Sequence, residues 1–218
     1  MTEILVKAAL GYLLGSIIGS LLIGRLRGRV DIRHLGSGNA GATNALRTQS
    51  KGFASGVLLI DLGKGWLATG FLALSRIPGI AFGPAHVRAW SVAACGITVM
   101  LGHIYPLWHG FRGGKGVATL VGAVLGAMPV LLLPVLVVWL VAVVLFGFVG
   151  LASILGAVAF AVAAAASGVE PRAPLLIFAV LSVVLIAFTH RSNISRMLAG
   201  TEPRARRLWL LGAARSRP

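Results

Sequence analysis

Pro129-Val130-Leu131-Leu132-Leu133-Pro134-Val135-Leu136-Val137-Val138-Trp139-Leu140-Val141-Ala142-Val143-Val144-Leu145-Phe146-Gly147 carries no charged side chain, and neither does the rest of residues 117–167 around it. As a single helix those 51 residues would reach about 76 Å, whereas the hydrocarbon core of a bilayer is about 30 Å thick. The stretch must therefore cross more than once, with Pro129, Pro134, Gly147, Gly150 and Gly156 as break points. Composition agrees. The chain is 57% hydrophobic and 11% charged, against about 25% charged in soluble domains. The fold class is all-α: a polytopic membrane protein whose residues 1–218 form one membrane-embedded domain.

Outward from that stretch, apolar segments at 4–24, 53–75, 87–107 and 173–189 read as further spans. The first is expected to be retained rather than cleaved, because no basic region precedes it and no convincing cleavage site follows. Its Lys7 is placed to snorkel, and Gly11, Gly15, Gly19 and Gly24 mark a close helix–helix face. Charge decides the number of crossings. Of 20 Lys and Arg, six lie in 25–51, two in 112–115 and seven in 191–217. Three crossings within 117–167 put all three clusters on one side, leaving only Arg76, Arg88 and Arg172 in loops on the other. The positive-inside rule then favours seven transmembrane helices, with the N-terminus outside, the C-terminus cytoplasmic, and short or broken helices at the cytoplasmic face. The tail 203–218 reads as a basic interfacial anchor.

The basic clusters coincide with the motifs that carry chemistry. The first is Gly36-Ser37-Gly38-Asn39-Ala40-Gly41-Ala42-Thr43-Asn44 with Arg47. Its glycines allow N–H groups to converge on an anion, and Arg47 brings a forked cation suited to phosphate. Phe111-Arg112-Gly113-Gly114-Lys115-Gly116 opens a helix in the same manner. It is not a Walker A loop, since position 109 is His109 and Gly116 replaces the magnesium-binding hydroxyl. Gly36, Gly38 and Gly41 match a dinucleotide fingerprint only by spelling, with no strand before them. The third is His190-Arg191-Ser192-Asn193. Inside the second span, Asp61 and Lys64 share a helix face and form either a structural ion pair or part of a site. His103 either lines the site or is a satisfied histidine beside Pro106. The net charge of +15 is too localised to imply nucleic acid. Five acidic residues and Cys95 alone imply neither a metal site nor any cofactor.

Taken together, the motifs resemble the bacterial acyl-phosphate-dependent glycerol-3-phosphate acyltransferases, membrane enzymes that make lysophosphatidic acid. The resemblance rests on Asp31-Ile32-Arg33 through Arg47, Asp61-Leu62-Gly63-Lys64-Gly65, Gly102-His103 through Thr119, and His190-Arg191 through Glu202. Ile18 departs from it, standing where members often carry a proline. The resemblance implies an acyl-phosphate donor, glycerol 3-phosphate as acceptor, lipid as the only other partner, and the cytoplasmic (inner) membrane as location. By the same resemblance Ser37, Arg47, Lys115, His190 and Asn193 are the catalytic set, with Gly113, Gly114 and Gly116 as the phosphate loop and Glu202 as structural. Gly38, Asn39, Gly41, Thr43, Asn44, Lys64 and His103 join as substrate-binding residues and Asp61 as a structural one.

Such chemistry needs two anions held together and an oxyanion stabilised. The acceptor hydroxyl must also lose a proton, either to His190 or to a substrate phosphate. No carboxylate lies near enough in the motif to orient His190, which favours direct, substrate-assisted transfer with His190 and Asn193 holding the acceptor. Ser37 lacks a nucleophile elbow. An anion transporter is the rival reading, motivated by intramembrane Asp61 and Lys64; a lipid-binding scaffold would not need this polar set.

Overall fold

The structure, a computed structural model, describes residues 1–205 and 208–209. Of the basic tail, residues 206, 207 and 210–218 lie outside the described residues. Ten α-helices and no strand occur among those described. They are α1 (Thr2–Gly15), α2 (Gly19–Leu26), α3 (Ala42–Thr48), α4 (Lys51–Trp66), α5 (Ala85–Ile104), α6 (Val117–Ala127), α7 (Leu132–Phe146), α8 (Val149–Ala166), α9 (Arg172–Thr189) and α10 (Arg191–Leu198).

The charge-free stretch becomes three helices, broken at Met128-Pro129 and at Gly147-Phe148. Met128 leaves the helical conformation immediately before Pro129, as the residue preceding a proline tends to. Gly147 closes α7 in the left-handed region at φ 76°. The polytopic all-helical fold is thus as expected, but the count of seven spans is not reached. Five helical segments are long and apolar enough to cross, and α1 with α2 as one bent span makes six. α6, with 11 residues, is only about 16 Å long. It nevertheless carries the chain from Gly116, beside Ile104 of α5, to Ala127 and Met128, which face Ala89 and Val92 near the other end of α5.

The first span is not one helix. It breaks at Ser16–Ile18 with a bend of 46°, although Ile18 supplies no proline to cause it. The cause lies on α4. Lys64 Nζ donates to the freed carbonyls of Gly15 (2.8 Å) and Ile17 (2.6 Å), and Asp61 Oδ1 accepts from Gly19 N (3.2 Å). Side chains from a neighbouring helix thus satisfy the backbone groups that a bend exposes, as lipid surroundings demand.

The glycine stripe is accordingly divided between partners. Gly15 lies on the backbone of Val99 in α5 and Gly19 on that of Val57 in α4. α4 and α6 approach just as closely, because a Cβ on Gly65 or Gly122 would collide with the backbone opposite. Beyond Trp66, α4 loosens through a π turn at Leu67–Phe71, where Thr69 Oγ1 donates to Ala123 O at 2.8 Å. α8 and α9 close the bundle through Phe160 and Phe178, packed edge-to-face at 5.3 Å, and Cys95 is buried as core.

Lys7 does not snorkel. It is fully buried, paired with Glu3 at 2.6 Å and bonded to Ala73 O at 2.7 Å. Glu3 also accepts from Gly83 N at 2.8 Å, which fixes this end of α1 beside the α4–α5 connection. That is the far end of the bundle; the three motif loops lie at the other.

Candidate active site

The first motif is a loop with structure of its own. A turn at Ile32–His34, capped by Asp31, leads through the glycines into α3, on which Thr43, Asn44 and Arg47 ride. Asn44 builds this loop from inside. Its Oδ1 accepts from Ser37 N (2.9 Å), while Nδ2 contacts the carbonyls of Ile32, Leu35 and Asn39 at 2.9–3.0 Å. Both polar atoms of the Asn44 amide, a residue expected among the substrate-binding set, are engaged in shaping the loop. Asn39 likewise turns its Oδ1 back onto Gly41 N at 2.7 Å. What the loop leaves outward is Ser37, Gly38, Thr43 and Arg47, all exposed. Arg47 makes no hydrogen bond or ion pair within the protein among the described residues.

Arg33 joins this loop to the second motif. Its guanidinium spans Asp31 (2.7 Å) and the carbonyls of His109 (3.0 Å) and Arg112 (2.8 Å). The same guanidinium holds the Asp31 carboxyl below its ordinary range. No role for Arg33 follows from the sequence, where the spacing Asp31-x-Arg33 is its only trace.

The second motif differs from expectation in which N–H groups it offers. Gly113 N donates to Ile104 O (3.1 Å) and Gly114 N to His103 O (3.0 Å), so both are used to fold the loop over the end of α5. Gly114 is required there because a Cβ would strike His103 Nε2. The free donors begin one residue later. Gly116, at φ 87°, turns the chain into α6, and the N–H groups at that helix start have no acceptor among the described residues.

Lys64, Asp61 and His103 form a buried group beneath this loop. Lys64 and Asp61 are 3% and 1% exposed and 3.2 Å apart, and His103 Nδ1 lies 3.5 Å from Asp61 Oδ1. All three Lys64 protons point at partners within the protein. Lys64, expected with His103 to touch substrate, holds the α1–α2 bend through the carbonyls of Gly15 and Ile17, and Asp61 and His103 lie beside it under the loop.

The third motif completes the arrangement. Lys115 Nζ donates to Asn193 Oδ1, Asn193 Nδ2 donates to Glu202 Oε1 (2.6 Å), and Glu202 Oε2 accepts from Arg196 Nε (2.6 Å). Thr189 Oγ1 donates to Lys115 O at 3.1 Å. Gly150 of α8 leaves room for Asn193, since a Cβ there would press on its amide at 3.0–3.2 Å. Burial pulls the Lys115 ammonium down to about 8, partly opposed by Glu202. His190 is 3% exposed, with Nδ1 bonded to Ile186 O at 2.8 Å. A carbonyl only accepts, so Nδ1 carries the proton and Nε2 keeps a free lone pair. Burial, then the Lys115 charge, lowers His190 to about 4, leaving it neutral at physiological pH. Among the described residues no three His, Cys, Asp or Glu side chains converge as a metal site would require.

The site therefore gathers Arg47, Lys115, the α6 start, neutral His190 and Asn193 at one end of a membrane bundle. Comparison with known proteins identifies the family. Residues 5–200 match the family model described as glycerol-3-phosphate acyltransferase. The chain belongs to the glycerol-3-phosphate acyltransferase family. Relatives bearing that name include one from Sinorhizobium fredii (strain NBRC 101917 / NGR234), 39% identical over 90% of this chain and 89% of its own. Another, from Synechococcus sp. (strain JA-2-3B'a(2-13)), is 42% identical over 91% and 93%. Among solved structures, the glycerol 3-phosphate form of PlsY (YgiH), an integral membrane glycerol 3-phosphate acyltransferase, superposes with a TM-score of 0.79 at 34% identity. It covers 92% of this chain and 94% of that one. Its lysophosphatidic acid form gives 0.76 at 35% identity. Membership in this acyltransferase family, together with the apolar helices, makes the chain a multi-pass membrane protein.

Proposed function

We propose that the chain transfers a fatty acyl group from acyl-phosphate to the 1-hydroxyl of sn-glycerol 3-phosphate. The hydroxyl oxygen bonds to the acyl carbon, the carbon–oxygen bond to phosphate breaks, and inorganic phosphate leaves with the electron pair. Lysophosphatidic acid is the other product. The observation that carries this reading is the Lys115–Asn193 contact beside neutral His190, with Arg47, which has no partner among the described residues, adding its charge to the lowering of Lys115. Two cations suit two phosphates, and a neutral imidazole with a free Nε2 suits a hydroxyl.

With its proton affinity so low, His190 is a poor base at neutral pH and a good acceptor that aims the hydroxyl. The proton passes to a phosphate oxygen of a bound substrate. The free N–H groups at the α6 start and the Lys115 ammonium stabilise the oxyanion. Ser37 is exposed and has no side-chain hydrogen bond among the described residues, which favours direct transfer without an acyl-enzyme. The gathering of basic loops at the motif end supports a cytoplasmic site in the bacterial inner membrane, with the N-terminus outside.

The test uses purified protein in detergent with palmitoyl-phosphate and glycerol 3-phosphate, no CoA, and a chelator present. Lysophosphatidic acid and phosphate are expected in equal amounts, and palmitoyl-CoA is expected to yield neither. Absence of product from a folded preparation would sink the proposal.

A further inference from the structure

Beyond residue 200, where the family match ends, the chain turns back onto the membrane bundle. Ala205 N donates to Gly147 O (2.8 Å), and Trp209 Nε1 donates to Leu145 O (3.1 Å). The Arg204 guanidinium contacts two rings, 4.6 Å from the centroid of Phe148 and 3.9 Å from that of Trp209. Gly147 is part of this seat, since a Cβ there would meet the Trp209 ring at 2.9 Å. Three kinds of contact thus fasten Arg204, Ala205 and Trp209 to the α7–α8 turn.

Glu202 sits between this attachment and α10. On one side its N–H donates to Arg196 O at 3.1 Å; on the other Ala205 is bound to Gly147. Its carboxylate can only accept, so it compels Asn193 to present Nδ2 and leaves Oδ1 facing Lys115. Were Glu202 to drift, the amide could rotate and present a donor to an ammonium that is itself a donor.

We propose that the docking of Arg204 and Trp209 on the Gly147–Phe148 turn is a positioning clamp: it holds Glu202 in register, so that Asn193 and Lys115 are kept in place for the phosphate of glycerol 3-phosphate. The inference rests on the site reading above, and Arg204 and Trp209 act through other residues without touching substrate.

Initial rates of lysophosphatidic acid formation are measured against glycerol 3-phosphate at saturating acyl donor. The proteins are the wild type, Trp209→Ala, Trp209→Phe, Arg204→Ala and Lys115→Ala, each with its thermal midpoint. Trp209→Ala and Arg204→Ala are expected to raise the KM for glycerol 3-phosphate about tenfold, below the hundredfold loss that a 1 Å misplacement can cause. The donor KM and the thermal midpoint stay at wild-type values. Trp209→Phe keeps a ring against Arg204 and returns the KM to within about threefold of wild type. An unchanged acceptor KM in Trp209→Ala beside an inactive Lys115→Ala would overturn the clamp alone. Equal changes in both KM values with a lowered midpoint would make the contact merely structural and overturn it too. Full activity in Lys115→Ala would remove the site reading, and the clamp with it.

Discussion

At Lys115 the same burial that shapes the site sets its working range. Below about 8 the side chain is an ammonium that can hold phosphate; above it the charge is lost. kcat/KM for glycerol 3-phosphate is therefore expected to fall as pH rises through about 8. Lys115→Arg, which stays charged, should lack that descending limb even where its rate is lower. His190, lowered to about 4, remains neutral across this range and should add no acidic limb between about pH 5 and 8. A pH–rate series on both proteins checks each point. Ser37 offers a second test at this scale. Intact-mass spectrometry after incubation with palmitoyl-phosphate alone is expected to show no acylated protein. The candidate site residues stand out in the sequence because charge and glycine are conspicuous in an apolar chain. The work of Arg33 and Asn44 does not, because it lies in hydrogen bonds to main-chain carbonyls elsewhere in the fold, which leave no pattern along the sequence.

Helices show the same contrast. The spans could be read from runs of apolar residues, and the break at Met128-Pro129 from its proline. The bend at Ser16–Ile18 could not, because its cause is Lys64, 47 residues from Ile17. Lys64→Met is expected to cost about 3–5 kcal/mol, since it leaves the buried Asp61 carboxylate without its ammonium partner. Lys64→Met with Asp61→Asn should recover part of the loss, measured as thermal midpoints in detergent. Gly122→Ala sets a methyl against the main chain of Leu62. It should lower the midpoint by parting α4 from α6, more than Gly63→Ala, whose added methyl meets nothing within 4 Å. The Gly113-Gly114 pair shows the limit of motif reading. Such a sequence suggests open N–H groups, yet both bonds close onto α5, and the available donors start one residue later.

Across the whole molecule, the motif loops meet because the chain changes ends an odd number of times between residues 117 and 167, whatever the length of each pass. Single cysteines placed at Thr43 and Arg191, in a Cys95→Ser background, are expected to react with an impermeant maleimide only after the membrane is opened. One at Pro84 should react from outside in intact cells. Labelling of Thr43→Cys and Arg191→Cys from opposite sides would dismantle the site. The one-sided gathering of basic residues carries this arrangement in the sequence, whereas the half-length of α6 is hidden inside an unbroken apolar run.

The joint between α1 and α2 has a consequence for assembly. Gly15 and Ile17 would expose carbonyls to lipid until the Lys64 ammonium arrives on the next hydrophobic segment, and an unsatisfied carbonyl there costs several kcal/mol. The bend is therefore expected to depend on α4, and a peptide of residues 1–27 alone in lipid should stay straighter than the 46° seen in the bundle, as measured by oriented circular dichroism. A proline would have bent it from the outset. Here the crook of the first span is held by a partner helix, through Lys64 and Asp61.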